Sequence, residues 1–295
     1  MTRPNLRAAL ASGQFVTAPG LYDMISAVVA NKVGFDFVYA SGYWLTASGY
    51  GLPDAGIVSY TQMLDRVATL CRTVNAGVIA DADTGFGGLL NVHHTVRGYE
   101  EAGVAAIQIE DQEFPKKCGH TPYKRVIATE DMAEKIKVAC AARRNPDSML
   151  VIARTDARQP EGFDAAVARG RAYAEAGADI VFVEALYSEQ EMRAACAAIP
   201  APMMANMAHG GKTPILSPAA LQQIGYSAAI YPAMTSLSAA AAVERALTTL
   251  KAGKLPPESP PDMFSFTEFN HLIGFEEVWA FEQKWAKAPP LDAEG

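Results

Sequence analysis

Four carboxylates set the question of chemistry. Asp81 and Asp83 stand two apart in "DAD", Glu110 ends the run "AAIQIE", and Asp54 lies in "GLPD". Residues two apart on a strand project to one side, so Asp81 and Asp83 are expected to share a face. With no His or Cys partner nearby, the four acids make a hard-oxygen set suited to Mg²⁺ or Mn²⁺ rather than zinc. Mg²⁺ keeps several waters, so some of these acids would bind it through water. Arg154 can fork onto a substrate carboxylate. Ser41 and Gly42 offer backbone N–H groups to an anionic oxygen, and Asn206 is a neutral donor. A divalent metal beside carboxylate binders points to a 2-hydroxy or 2-keto acid chelated through its carboxylate and C2 oxygen, with the metal acting as Lewis acid.

The second chemical signal is "KKCGH", residues 116–120. Lys116, Lys117 and His120 flank Cys118 and would favour its thiolate in a polar, accessible loop. Nucleophile, base and acid all remain open at this point. No triad order is readable, and His120 is too near in sequence to give the nucleophile–base geometry. A loop cysteine without a role is the plain alternative. The other cysteines, Cys71, Cys140 and Cys196, are scattered with no C-x-x-C pair. Their spacing supports neither a disulfide framework nor a zinc site.

Elements must hold these groups together. Eight short apolar runs alternate with helical stretches: "QFVTAPG", "FDFVYASG", "AGVIADAD", "AAIQIED", "MLVIARTD", "DIVFVEA", "PMMANM" and "AAIYPA". Ser188 with Glu191 fits a capping box, and Ser217-Pro218 fits a helix start. Gly103 and Gly177 mark helix ends. This order predicts parallel strands with crossover helices, an α/β protein, and eight strands close a (β/α)8 TIM-type barrel. An open doubly wound sheet would want a G-x-G-x-x-G loop after the first run, which instead ends "APGLYD". Nearly every run ends in polar or charged residues, among them Asp111, Asp156 and Glu184. One such end is routinely a cap or turn, but six converging on one barrel mouth read as an active site.

The 295 residues are normal for one such barrel. Half are hydrophobic and the formal net charge is -7, which argues against nucleic acid or an anionic membrane as partner. The N-terminus lacks a signal-peptide core and no run is long and apolar enough to span a bilayer, so a cytoplasmic protein is expected. The expected division is a catalytic barrel over 1–254, then a proline-rich linker and helical segment over 255–295. The aromatics from Phe264 to Trp285 would dock on the protein's own barrel or on a neighbouring subunit.

The stretches "SGYWLTASGYGLPDAG", "DADTGFGG", "IEDQEFPKKCGH", "ARTDA", "VEA" and "NMAHGGKTP" resemble the isocitrate lyase/phosphoenolpyruvate mutase superfamily, in order, from about Thr17 to about Lys251. "KKCGH" resembles the lyase-branch signature. The resemblance implies Mg²⁺ (or Mn²⁺) held by Asp54, Asp81, Asp83 and Glu110, partly through water. It implies substrate binding by Ser41, Gly42, Tyr43, Lys116, Gly119, Arg154, Glu184 and Asn206. Tyr39 would face the substrate hydroxyl, Cys118 would be the general acid on a mobile loop, and His120 would assist. It also implies a homotetramer with exchanged C-terminal helices. The implied reaction is carbon–carbon cleavage of a 2-hydroxy acid to a 2-keto acid such as pyruvate, the carbanion being protonated by Cys118.

Members that cleave 2-methylisocitrate carry an arginine shortly after the "YP" pair, where this chain has Leu237, and "NITEFG" in place of "NMAHGGKTP". An unpaired third carboxylate is costly to bury. A dicarboxylate of the 2,3-dimethylmalate type is therefore expected. 2-Methylisocitrate cleavage and oxaloacetate hydrolysis or decarboxylation are the alternatives, with phosphonopyruvate chemistry and an idle barrel behind them. Tyr43-Trp44, where smaller residues are common in the family, should narrow the pocket.

Overall fold

The computed structural model describes residues 3–119, 123–257 and 263–285. All eight runs form strands: β1 Val16–Leu21, β2 Phe37–Ala40, β3 Gly77–Asp81, β4 Ala106–Glu110, β5 Leu150–Thr155, β6 Ile180–Val183, β7 Met204–Asn206 and β8 Ala228–Tyr231. They lie parallel in the order β6-β5-β4-β3-β2-β1-β8-β7. A bridge between Val181 and Met203 joins β6 to β7, so the sheet curls into a TIM-type barrel. Helices follow the strands, and their starts match the sequence cues in part. Ser217 caps Pro218–Ile224, with proline in the first turn. Ser188 accepts from the Glu191 N–H at 3.2 Å. The return half of that box is replaced, because the Glu191 carboxylate accepts from the Tyr187 N–H and pairs with Arg158.

Alternation along the strands sorts the side chains into two cores. Val38, Ala40, Val78, Ala80, Ile107, Ile109, Val151, Ala153 and Val181 face outward to the helices. Phe37, Tyr39, Ile79, Ala106, Leu150, Ile152, Ile180, Phe182, Met204 and Ile230 fill the barrel interior. Leu6 and Ala9, on the short helix Leu6–Ala11, belong to that interior cluster. Continuing the inward parity by two residues at each C-terminal strand end gives Asp81, Glu110, Arg154, Glu184 and Asn206. The interior is thus packed below and polar above.

The chain divides into two compact units, Met1–Leu237 and Ser238–Gly295. This division falls inside the helix Met234–Lys251, whereas the expected boundary lies just after it. In the second unit the helices Phe266–Leu272 and Phe275–Trp285 have no buried residue. Among the described residues, no helix is long and apolar enough to cross a membrane.

Candidate active site

A cavity of about 340 Å³ opens where the strand ends meet, lined by Tyr39, Ser41, Tyr43 and Trp44 from β2 and the helix after it. Asp54, Asp81 and Glu110 supply acids, and Arg154, Glu184 and Asn206 come from β5, β6 and β7 or just beyond. Lys116, Lys117, Cys118 and Gly119 enter from the long loop after β4. Twelve predicted residues therefore share one cavity: Tyr39, Ser41, Tyr43, Asp54, Asp81, Glu110, Lys116, Cys118, Gly119, Arg154, Glu184 and Asn206. Gly42 and Asp83 sit just behind it. A Cβ added at Gly42 would stand 2.8 Å from Asp81 Oδ2, so a larger residue there would displace that carboxylate. His120 lies outside the described residues.

One expectation needs correcting. Asp83 is not on the strand, because β3 ends at Asp81. Asp83 takes a left-handed φ of 49° and its N–H donates to Asp81 Oδ1 at 3.0 Å. That turn, not strand alternation, brings the two carboxylates together. Aspartate tolerates this region better than most residues, and such conformations gather at functional sites.

Lys116 is buried within the acid set. Its Nζ lies 2.6 Å from Asp54 Oδ1 and 2.6 Å from Asp83 Oδ1. Burial opposes its charge, but Asp83, Asp54, Glu110 and Asp81 outweigh burial and hold it protonated well above the usual lysine range. Two of these acids move upward as well. Burial lifts Asp83 to about 6 against the pull of Lys116, and burial raises Glu110 well above the carboxylate range against Arg154. Both shifts share burial as their main cause, with neighbouring carboxylates adding to it.

Arg154 anchors the other half. Nε and Nη2 grip Asp156 at 2.8 and 3.1 Å, and the guanidinium also reaches Glu110 and Glu184 at 3.3 Å each. It lies over the Phe182 ring at 5.2 Å. Burial opposes ionisation of Asp156, but Arg154 and Lys124 overcome it and hold the carboxyl well below its usual range. Asn206 Nδ2 donates to Glu184 Oε2 at 2.9 Å. Tyr39 Oη donates to Gln108 Oε1 at 3.3 Å, and burial, aided by Asp81, keeps that phenol protonated.

The sequence missed two groups here. Asp156 stood only among the polar strand ends, with a helix cap as its plausible alternative, yet it is the clamp on Arg154. Lys124 carried no signal beyond its place after "KKCGH", yet it is buried on Asp156.

The charge balance favours a dication. Asp54, Asp81, Asp83, Glu110, Asp156 and Glu184 face Lys116, Lys124 and Arg154, six acids against three buried cations. Glu110 Oε1 is buried with no hydrogen-bond partner. Among the described residues, no three acidic, His or Cys side chains converge closely enough to ligate one ion together. The oxygen donors and the unpartnered Glu110 Oε1 suit a hard cation such as Mg²⁺.

The phosphoenolpyruvate phosphomutase family pattern matches residues 6–251. The 2,3-dimethylmalate lyase of Eubacterium barkeri is 44% identical over 97% of this chain and 98% of its own. The chain belongs to the isocitrate lyase/phosphoenolpyruvate mutase superfamily. Within that superfamily it is an enzyme of the lyase branch, a carbon–carbon lyase. A 2-methylisocitrate lyase of Halalkalibacterium halodurans is nearly as similar, 42% identical over 91% of this chain and 88% of its own. Among solved superfamily structures, a 2,3-dimethylmalate lyase superposes with TM-score 0.90 and 34% identity, covering 98% of this chain and 97% of that one. An oxaloacetate acetylhydrolase bound to 3,3-difluorooxalacetate gives 0.89 and 31%, covering 95% of each chain. A phosphonopyruvate hydrolase complexed with oxalate and Mg²⁺ gives 0.83 and 33%, over 96% of this chain and 98% of that one.

Proposed function

We propose that this lyase cleaves a 2-hydroxy dicarboxylate of the 2,3-dimethylmalate type to a 2-keto acid such as pyruvate and a carboxylic acid. The observation that carries this reading is the pairing of the cavity's buried cations. Arg154 is the only arginine lining the cavity among the described residues, and it already serves Glu110, Asp156 and Glu184. Lys116 is held between Asp54 and Asp83. Leu237, Pro232, Ala233 and Trp44 add apolar surface, and the remaining basic side chains of the lining, Lys117 and His209, are exposed. A third substrate carboxylate would enter there without a buried cation to pair it.

Asp54, Asp81, Asp83 and Glu110 are the residues that would hold Mg²⁺, partly through water. When bound, it would supply Lewis-acid stabilisation of charge at the C2 oxygen. The chain's own residues do the rest. N–H groups at Ser41 and Gly42, where the helix Gly42–Tyr50 begins, receive the keto-acid end; the Ser41 side chain makes no capping bond and stays available. The protonated Tyr39 hydroxyl orients the substrate hydroxyl. Arg154, with Glu184 and Asn206 fixing it, holds the departing carboxylate. A carboxylate of the acid set, acting as base, takes the C2 hydroxyl proton as C2–O becomes the keto group; the C2–C3 electron pair passes to the departing fragment, and the Cys118 thiol protonates that carbanion. Lys116 and Gly119 contact the substrate from the same loop, and His120 assists the Cys118 proton transfer.

The exposed aromatics of the second unit, with Phe281 and Trp285 64% and 63% exposed, support exchange of this helical segment between subunits of a homotetramer. The deciding assay offers 2,3-dimethylmalate, 2-methylisocitrate and oxaloacetate with Mg²⁺ and identifies the products. Pyruvate and propionate from 2,3-dimethylmalate are expected; acetate and oxalate from oxaloacetate as the dominant turnover would overturn the reading.

A further inference from the structure

Lys124 has a fully buried side chain at the mouth of the barrel. Its Nζ donates to Asp156 Oδ1 at 2.7 Å and to the carbonyl oxygen of Gly119. Asp156 is also the bidentate partner of Arg154. Gly119 follows Cys118 in the chain, and its backbone is pressed onto the same arginine. A Cβ at Gly119 would stand 2.2 Å from Arg154 Nη2 and 2.9 Å from Glu184 Cγ. Lys124, Asp156, Arg154 and Gly119 therefore close a circuit. On the other side of Cys118, Gln112 holds the Lys117 backbone through both ends of its amide, at 3.0 and 2.8 Å. Cys118 is strung between these two anchors, and of the two it is the Lys124 anchor that runs through the substrate clamp.

Space filling does not account for this lysine. Burying an ammonium is costly, and a methionine of similar length would fill the volume without that cost. Arg154 already grips Asp156 at two points, and Lys124 adds a third contact to that carboxylate. The bond that Lys124 alone adds is the one to the Gly119 carbonyl.

We propose that Lys124 is a positioning residue, which seats Gly119 on Arg154 and thereby fixes the Cys118 thiol over the clamped end of the substrate. The proposal rests on Cys118 being the proton donor of the reading above. Its test reads thiol exposure and not turnover, so failure of one shows separately from failure of the other.

The test is timed alkylation by iodoacetamide of the full chain, followed cysteine by cysteine by peptide mass spectrometry. In Lys124→Met, Cys118 should react about tenfold faster, the scale set by losing one hydrogen bond from a charged donor. Cys140 and Cys196 should keep their rates, and Lys124→Arg should restore the Cys118 rate toward that of the unaltered chain. Gly119→Ala leaves Lys124 in place but denies Gly119 its seat, and should also accelerate Cys118. An unchanged Cys118 rate in Lys124→Met overturns the proposal. Equal acceleration at every cysteine overturns it too, since that marks a lysine needed only for the fold. Should Lys124→Met fail to fold, an unchanged Cys118 rate in Gly119→Ala does the same.

Discussion

The Lys116 ammonium lies 2.6 Å from Asp83 Oδ1, in the middle of the acids that the sequence assigns to a metal. A cation already occupies part of that charge balance. Lys116→Met should therefore leave Asp54 and Asp83 uncompensated, costing about 3 kcal/mol without metal. Added Mg²⁺ should raise the melting temperature of the variant more than that of the unaltered protein. Calorimetry with EDTA and with Mg²⁺ compares the two gains; equal gains would show that Lys116 and metal do not share the acids.

Asp83 also predicts a pH signature. Its folded value of about 6 lies above its ordinary 3.8, so between those values the folded state binds the extra proton. For this group stability falls as pH rises through that window and stays lower above it. In EDTA, the stability of Asp83→Asn relative to the unaltered protein should therefore improve from pH 4 to pH 6, then level off. Thermal melts across that range give the difference, and a flat difference would contradict the shift.

Cys118→Ser keeps the loop's shape but replaces the thiol with a far weaker acid. Turnover should fall by about a hundredfold or more, the usual scale for losing a general acid. Circular dichroism and melting temperature should stay unchanged, and near-normal turnover would remove Cys118 from the reaction.

Removing the chain after Pro257 deletes the exposed aromatic helices. Light scattering should then report a smaller assembly than the full chain forms. An unchanged size would end the exchange reading.

The barrel was legible because eight short apolar runs, buried on both faces as strands, alternate with helical stretches and could be counted directly. Asp81, Glu110, Arg154, Glu184 and Asn206 were legible as the polar ends of those runs, since each continues a strand's inward parity. Asp83 comes beside Asp81 by another route: a left-handed turn does what alternation was expected to do. The Lys116 pairing was not legible, because "KKCGH" lies on a loop and no periodicity says where a loop lysine points. Lys124 and Asp156 escaped for a related reason. Their partnership spans thirty-two residues, and nothing local marks either end.

The joint between β6 and β7 has a mechanical side. These strands meet at the Val181–Met203 bridge, and above it the Asn206 amide ties to the Glu184 carboxylate. The two side chains that would greet the substrate are also the upper clasp of the hoop. Whatever ligand engages both would tighten the barrel where its backbone stitching is shortest. Occupancy should then be readable far from the chemistry, as slowed amide exchange along β6 and β7.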